Sequence, residues 1–352
     1  MRKIKVLVVD DSAIVRDILG NAIASQTDME LISTAPDPYV ARDKIVRLNP
    51  DVITLDIEMP RLDGLTFLEK LMHYNPLPVI IVSAITTKDN LAAIKALELG
   101  AYDVVNKPGG SITVEEVKEE IVRKIRSAFE NKDRFILKWQ ELQKGLITIK
   151  PAKNKNLLTE IKTTEKLIAL GASTGGTVAL EYIFKNLPKN MPPILTVQHM
   201  PEIFTTQFAK RLNELSELNI KEAEQDELLE MGTVYLAPGG KHMEIKRVGA
   251  SLFINLTLGA KINYQRPAVD PLFFSVAQHA GINAMAVLLT GMGKDGAKGL
   301  LKIKESGGLT IAQDENTSVV WGMPKAAIEL NAAKEILPLE KIVTRIIEYT
   351  LN

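Results

Sequence analysis

The chain has 352 residues, 46% of them hydrophobic, and its 43 Lys and Arg residues balance its 43 Asp and Glu residues. This length favours two domains, and a net charge of zero provides no overall field that would attract nucleic acid or an anionic membrane. The absence of cysteine excludes disulfides, a thiol nucleophile and thiolate metal sites. The N-terminus lacks the apolar stretch of a signal peptide and no later stretch is long enough to span a bilayer, so we expect a cytoplasmic protein without membrane insertion.

The first third of the chain alternates short β-rich runs with amphipathic helical patterns, which predicts a parallel sheet with helices on both faces. From residue 112 to about residue 144 the pattern is helical and charged, as is typical of a solvated helix face. Residues 150–156 (KPAKNKN) are polar and without periodicity, which indicates a linker. The predicted strands are residues 5–9, 31–35, 52–55, 79–82 and 103–105.

A second alternating series begins at Lys166. Most of its strands are continuous apolar runs, as expected for a parallel sheet that is buried on both faces. Residues 244–247 and 252–256 flank a VGAS turn and predict an antiparallel hairpin. The predicted fold class is therefore α/β, with two doubly wound parallel-sheet domains, the second Rossmann-like with an added hairpin. Its other strands are predicted at residues 167–170, 194–198, 233–236, 286–289 and 309–312.

Acidic side chains follow two strands of the first domain: Asp10 and Asp11 follow the first strand, and Asp56 follows the third. Because the carboxyl ends of parallel strands meet at one edge of the sheet, these carboxylates converge and either raise a pKa or hold a hard cation. Ser83 ends the fourth strand and Lys107 ends the fifth. The edge therefore offers acids for Mg²⁺, an aspartate as phosphoryl acceptor, and a hydroxyl and an ammonium for the phosphoryl oxygens. Helix capping explains the acids after the first strand but not the acid and the lysine on other strands.

Four segments of this domain resemble the response-regulator receiver family, and the resemblance covers roughly residues 1–125. It implies that Asp56 accepts a phosphoryl group from a chemotaxis histidine kinase, and it implies the flavodoxin-type strand order. The family usually carries an aromatic switch residue three positions before the lysine, where this chain has Val104. The four segments are residues 8–12 (VVDDS), 55–60 (LDIEMP), 83–84 (SA) and 106–108 (NKP).

The receiver resemblance also implies a Mg²⁺ cofactor in the first domain. Ser83 and Lys107 would respond to the phosphoryl group. The implied metal-binding residues are Asp11, Asp56 and Glu58 through its carbonyl, with Asp10 acting through water.

The sequence GASTGG at residues 171–176 follows the first strand of the second domain. A Gly-x-Ser-x-Gly turn from strand to helix exposes a nucleophile in many serine hydrolases, but a glycine-rich turn of this kind is also a phosphate cradle or a plain turn. Ser173 therefore needs a base. His199 ends a strand at the same edge, and Asp295 follows another buried strand, so the three residues can meet as a Ser-His-Asp triad. Backbone N–H groups near Met292 could receive the oxyanion.

Two other chemistries remain open on the residues alone. Residues 291–296 match the Gly-x-Gly-x-x-Gly dinucleotide fingerprint, and Asp314 lies near the position of a ribose ligand. An α/β-hydrolase order would instead combine Ser173 with Asp270 as the acid and His279 as the base. This acid and this histidine are only nine residues apart. The other histidines, including His242, are expected in surface or satisfied interior roles.

Five segments of the second domain resemble the protein-glutamate methylesterases of bacterial chemotaxis, and this resemblance spans about residues 163–352. It implies that Ser173 is the nucleophile, His199 the base and Asp295 its orienting acid, with Thr174 and the Met292 backbone beside the reacting group. The segments are residues 171–176 (GASTGG), 198–201 (QHMP), 236–240 (LAPGG), 266–270 (RPAVD) and 291–296 (GMGKDG).

The implied substrates are γ-glutamyl methyl esters on the cytoplasmic helices of methylated chemoreceptors, with glutamine deamidation as a second activity and no cofactor for ester hydrolysis. Phosphorylation of the receiver would relieve an obstruction of the active site. We expect a receiver domain at residues 1–127, a helical and polar linker at 128–162, and a methylesterase domain at 163–352.

Two non-enzymatic alternatives remain at this stage. The second domain could only bind a partner, as part of a signalling scaffold. A DNA-binding output is common among receivers, but it would require a small basic helix-turn-helix module. Because the second domain reads as a large apolar α/β unit, we expect no nucleic-acid partner.

Overall fold

The structure is a computed structural model that describes residues 2–59, 63–84, 87–109, 113–143 and 165–351. The chain divides into two compact units, Met1–Thr148 and Ile149–Asn352. The predicted linker sequence at residues 150–156 lies outside the described residues, and the domain limits at residues 127 and 162 stay a prediction. Within the described residues, no helix combines the length and the apolar character needed to cross a bilayer.

The first unit is a five-stranded parallel sheet with helices between its strands. Its strands lie side by side in the order second, first, third, fourth and fifth, which is the flavodoxin-like order that the receiver resemblance implies. The third and fourth strands are buried along their whole length, which explains their continuous apolar sequences. The elements are β1 Ile4–Val9, α1 Ala13–Ala24, β2 Met29–Ala35, α2 Pro38–Leu48, β3 Val52–Asp56, α3 Gly64–Tyr74, β4 Val79–Ser83, α4 Thr87–Glu98, β5 Asp103–Asn106, α5 Val114–Glu130 and α6 Lys132–Gln143.

The helical pattern predicted from residue 112 onward forms two helices, with Asn131 between them. The second of these, α6, packs on the first unit through Trp139. The indole Nε1–H donates to the carbonyl of Met72 at 2.9 Å, and the ring lies where a side chain on Gly100 would otherwise stand. The early part of the predicted linker is therefore an ordered helix of the first unit.

The second unit is a seven-stranded parallel sheet and a two-stranded hairpin. The hairpin pairs β10 with β11 in antiparallel register, as predicted. The elements are β6 Leu167–Ala172, α7 Gly176–Asn186, β7 Ile194–Gln198, α8 Glu202–Leu215, β8 Asn219–Glu222, β9 Thr233–Leu236, β10 His242–Val248, β11 Ser251–Thr257, α9 Val269–His279, a 3₁₀ turn Gly281–Asn283, β12 Ala284–Leu288, α10 Ala297–Glu305, β13 Leu309–Gln313, α11 Met323–Glu329, β14 Glu335–Leu337 and α12 Leu339–Leu351.

The order of the larger sheet, β14-β13-β12-β6-β7-β9-β8, reverses direction at β6. After β6 the chain proceeds to β7 on one side, and it returns to the other side only at β12. Open α/β sheets bind ligands at such a switch point, beyond the carboxyl ends of the strands. The turn after β6, the end of β7 and the loop after β12 therefore share one edge of the sheet. Both parallel-sheet domains of the predicted fold class are confirmed.

Candidate active site and phosphoacceptor cluster

The acidic cluster of the first unit forms at the carboxyl edge of its sheet, as the sequence predicted. Asp10 and Asp56 are buried, whereas Asp11 is exposed. One carboxylate oxygen from each of these three residues lies within 4.8 Å of the other two. The Lys107 ammonium is 3.0 Å from Asp10 Oδ2 and 2.7 Å from Asp56 Oδ2. One cation therefore bridges the two buried acids.

Burial dominates the electrostatics of this cluster. It raises the pKa of Asp56 to about 6 and raises the pKa of Asp10, against the opposing effect of the Lys107 ammonium. Burial alone would lower the pKa of Lys107, but its contacts with both carboxylates raise it. The two Oδ2 atoms are buried and accept no hydrogen bond of good geometry within the described residues. Two such oxygens and the exposed carboxylate of Asp11 fit a hard divalent cation such as Mg²⁺.

The other predicted receiver residues lie around Asp56. Ser83 is buried at the end of β4, and its carbonyl accepts the Lys107 amide at 2.7 Å. The Glu58 amide donates to Asp56 Oδ1 at 3.3 Å. Gly64 allows the loop to close, because a Cβ at this position would lie 2.3 Å from the Asp56 carbonyl oxygen.

A buried lysine stands beside the position where receivers usually carry an aromatic residue. The Lys124 ammonium donates to the Val104 carbonyl at 2.6 Å and to Asp103 Oδ1 at 2.8 Å. It also pairs with Glu120 at 3.0 Å. The sequence analysis missed this contact, because Lys124 lies in a charged helical stretch that reads as solvent-facing.

In the second unit, Ser173 lies in the turn that follows β6. Its amide donates to the Thr290 carbonyl at 3.0 Å, and its own carbonyl accepts the Gly176 amide at 2.7 Å. Gly175 has a φ of 77°, in the left-handed region that glycine adopts without strain. A glycine is also required at Gly291, where a Cβ would lie 2.7 Å from the Ser173 Cβ. The serine is thus fixed by two loops and is 8% exposed.

His199 and Asp295 form a direct pair at the same edge. The His199 amide donates to the Ala172 carbonyl at 3.0 Å, which holds the histidine beside the Ser173 turn. Its Nε2 lies 2.7 Å from Asp295 Oδ2, and both side chains are almost fully buried. Its Nδ1 is buried and has no hydrogen-bond partner among the residues that the structure describes.

The Asp295 carboxylate is held by the start of α9. It accepts the Val269 amide at 2.6 Å and the Asp270 amide at 3.2 Å, and the Asn263 side-chain amide donates to it at 3.3 Å. Burial alone would raise the pKa of Asp295, but the contact with His199 and the two backbone amides outweigh burial and hold that pKa below its ordinary value. Asp295 is therefore ionised, as the partner of a histidine base must be.

Two protein families match this chain. The CheB methylesterase family matches residues 168–346, and the response regulator receiver domain matches residues 6–122. Protein-glutamate methylesterase/protein-glutamine glutaminase 2 of Syntrophus aciditrophicus (strain SB) is 48% identical over 348 residues, which cover 99% of each chain. The chain belongs to the CheB methylesterase family.

Other relatives agree with this membership. The protein-glutamate methylesterase/protein-glutamine glutaminase of Salmonella typhi is 47% identical, over 97% of this chain and 95% of that protein. The crystal structure of the Thermotoga maritima CheB methylesterase catalytic domain is 47% identical and has a TM-score of 0.52, covering 53% of this chain and 98% of that one. Both predicted resemblances and the predicted enzyme class, a carboxylic ester hydrolase with a receiver domain, are confirmed.

Within this CheB-family site, the two residues predicted beside the reacting group lie on the loops that flank Ser173. Thr174 is buried, and its carbonyl accepts the Thr290 hydroxyl at 3.0 Å. Met292 is half-buried. Its amide N–H has no hydrogen-bond acceptor within the described part of the chain. A backbone donor of this kind, next to the Ser173 turn, suits a developing oxyanion.

Sequence analysis missed Gln198 as a functional residue, although it lies within the QHMP segment. The side chain is buried, and its amide group donates to the Ser173 carbonyl at 2.9 Å and to the His199 carbonyl at 3.2 Å. Its Oε1 fills the place of a side chain on Gly176, where a Cβ would lie only 2.2 Å away. Gln198 therefore connects the segments that carry the serine and the histidine.

The structure does not favour the α/β-hydrolase order. Asp270 is buried near the start of α9 and accepts the Gly299 amide at 2.8 Å, whereas His279 is the last residue of that helix. At a rise of about 1.5 Å per residue the two lie roughly 13 Å apart along the helix. His242 fills a satisfied interior role, with Nε2 2.9 Å from the Ala260 carbonyl.

The dinucleotide interpretation also has no support at the predicted residues. Asp314 accepts both the amide and the hydroxyl of Thr317, as a loop cap does. Asp295, inside the glycine motif, is committed to His199. The glycine motif instead shapes the loop that carries Asp295 to His199.

Proposed function

We propose that this chain hydrolyses γ-glutamyl methyl esters, and deamidates glutamine, on the cytoplasmic helices of methylated chemoreceptors. The observation that carries the proposal is the pair of His199 and Asp295, 2.7 Å apart beside the Ser173 turn. The names of the relatives support the substrate. Receptor helices of this kind are exposed in the cytoplasm, where we expect the chain to act.

The geometry supports acyl transfer with Ser173 as nucleophile. The serine hydroxyl attacks the ester carbonyl and gives its proton to His199. Because Nε2 is engaged by Asp295, the buried Nδ1 is the ring nitrogen left to accept this proton. The imidazolium then gives this proton to the departing methoxide oxygen, which leaves as methanol, or to the amide nitrogen of glutamine, which leaves as ammonia. A water that gives its proton to the same histidine then hydrolyses the acyl-enzyme. The Met292 amide is the proposed donor to the oxyanion, with Thr174 beside the reacting group.

We also propose that phosphorylation of Asp56 by a chemotaxis histidine kinase controls this activity. Asp11, Asp56 and the Glu58 carbonyl would hold Mg²⁺, with Asp10 acting through water. When bound, the metal neutralises charge on the transferring phosphoryl group. The contacts of Lys107 with two of the acids support this proposal, in which Lys107 and Ser83 would hold the phosphoryl oxygens. In this proposal no cofactor takes part in ester hydrolysis.

Methanol release from methylated receptor membranes tests the esterase assignment. Ser173→Ala should abolish release. Ser318→Ala is the matched control, because Ser318 is a buried serine of the same unit whose hydroxyl donates to the Asp314 carbonyl rather than to a residue of the proposed triad. Full release by Ser173→Ala would overturn the catalytic assignment. Receptor binding by the wild type without release would favour the scaffold alternative.

A further inference from the structure

A strained turn stands at the rim of the candidate active site. The amides of Ile262 and Gln265 donate to each other's carbonyls at 3.0 and 2.9 Å, and the two residues between them, Asn263 and Tyr264, have φ values of 50° and 66°. Two-residue turns of this type favour Asn followed by Gly. Tyrosine at the second position costs free energy, and strain of this kind persists where function needs it.

The loop that carries this turn holds apolar side chains in water. Leu258 is 74% exposed, Tyr264 71% and Ile262 37%. Scattered exposed apolar residues need no explanation, but these three lie within seven residues of chain beside a catalytic carboxylate.

The loop is nevertheless firmly anchored. Arg266 donates to the Gly259 carbonyl at 3.0 Å, and His242 Nε2 lies 2.9 Å from the Ala260 carbonyl. The Asn263 side chain reaches Asp295 at 3.3 Å. The exposed apolar side chains are therefore presented on a fixed frame that is tied directly to the triad.

Exposed lysines lie in this loop or close in sequence to residues that contact it. Lys261 belongs to the loop, Lys241 precedes His242, and two more lysines lie within three residues of Asp295. One exposed acid, Glu202, approaches the region at Gly240. The exposed lysines are Lys241, Lys261, Lys294 and Lys298.

We propose that residues 258–266 form a substrate-recognition rim, with Tyr264 at its centre, that binds an acidic amphipathic α-helix. The three apolar side chains would pack on the apolar stripe of the helix, and the lysines would pair with its free glutamates while an esterified glutamate enters the site. Complementarity of this kind gives specificity for the correct partner. This inference rests on the proposed function, since it concerns the helix that carries the ester.

The test compares two substrates: methylated receptor membranes, and N-acetylglutamate γ-methyl ester, which has the same bond but no helix. Tyr264→Gly should lower the ratio of kcat/KM for the receptor to kcat/KM for the small ester about fivefold or more. The same substitution relieves the turn, so the thermal midpoint of unfolding should hold or rise. A residue with only a structural role would lower the midpoint and leave the ratio unchanged. Tyr264→Phe keeps the ring and should keep the ratio.

Ile282→Ala is the matched control. Ile282 is 74% exposed in the same unit, but it precedes β12 and so lies at the opposite edge of the sheet. The proposed recognition role of the rim would be overturned if Tyr264→Gly left the ratio of the two kcat/KM values unchanged. It would also be overturned if Ile282→Ala lowered that ratio as much as Tyr264→Gly does. If the wild type releases no methanol from receptors yet hydrolyses the small ester, the proposed function fails instead.

The lysines provide an independent readout. With positive charge at the rim, KM for the receptor should rise with ionic strength, and Lys261→Ala combined with Lys294→Ala should weaken that dependence. A salt dependence that is unchanged in the double variant would contradict the electrostatic part of the proposal.

Discussion

At Gln198, one side-chain amide connects the two segments that carry Ser173 and His199, the proposed nucleophile and base. Gln198→Met keeps the approximate volume but removes both donors to the Ser173 and His199 carbonyls. Because misplacement of reacting groups by about 1 Å can cost roughly a hundredfold in rate, we expect kcat for ester hydrolysis to fall about tenfold to a hundredfold with little change in KM. Steady-state kinetics on the small ester measure this split.

Thr196→Val is the matched control for that substitution. Thr196 lies on the same strand and is fully buried, and its hydroxyl has no hydrogen-bond partner among the described residues. Valine has nearly the same shape, so kcat should stay near that of the wild type. Equal losses of kcat in Gln198→Met and Thr196→Val would indicate general disruption of β7 rather than a positioning role.

Asp270 is a second buried carboxyl group whose ionisation affects stability. Burial raises its pKa from the ordinary value of 3.8 to about 6. The folded chain therefore binds more protons than the unfolded chain between these pH values, so the free energy of unfolding falls as pH rises through this window, by ~1–3 kcal/mol. Asp270→Asn should remove this loss and be more stable than the wild type at pH 7 but not at pH 4.

Urea unfolding followed through Trp321 fluorescence, in a Trp139→Phe background, measures this difference. These are the two tryptophans of the chain, one in each unit. A stability difference of the same size at pH 4 and pH 7 would contradict the titration of Asp270.

At the scale of the element, two backbone amides at the start of α9 donate hydrogen bonds to the Asp295 carboxylate. Val269→Pro removes the amide that donates at 2.6 Å, and proline is well tolerated at the first position of a helix. Val269→Ala removes the side chain but keeps the amide, so it is the control. We expect the kcat of Val269→Pro to be about tenfold lower than the kcat of Val269→Ala. The pKa of Asp295 should rise, so the acid limb of the pH–rate profile should move upward. If the pH–rate profiles of Val269→Pro and Val269→Ala were superimposable, the amides at the start of α9 would contribute nothing to the proposed triad.

How well the sequence predicted each strand depends on how long and how buried that strand is. Long apolar strands such as β7 were predicted at their observed limits, whereas β8 and β14 were missed. Both missed strands lie at the edges of the sheet and have only four and three residues, too few for a periodic pattern.

The residues of the candidate site likewise divide into those that the sequence predicted and those that it did not. Residues directly after a strand were predicted, because parallel topology brings such positions to one edge. The contacts that hold them were not predictable from local pattern: Asn263 and Val269 reach Asp295 from 32 and 26 residues away, through tertiary packing. Gln198 was missed because it reads as the last residue of a buried strand.

At the scale of the whole molecule, each unit places its chemistry at the carboxyl edge of a parallel sheet, and the proposed function couples the two chemistries. Phosphorylation of Asp56 by acetyl phosphate with Mg²⁺ should raise methanol release on the order of tenfold, within the usual range of coupling between sites. Asp56→Asn should keep basal release and lose the increase, because it removes the acceptor oxygen. Ser173→Ala should accept phosphate and release no methanol.

Asp43→Asn is the control for the acceptor, since Asp43 is an exposed aspartate of the same unit whose carboxylate contacts Arg42. It should keep both the phosphorylation and the increase. If acetyl phosphate still raised methanol release in Asp56→Asn, Asp56 would not be the phosphoryl acceptor. If the wild type released methanol equally with and without acetyl phosphate, phosphorylation would not control the esterase.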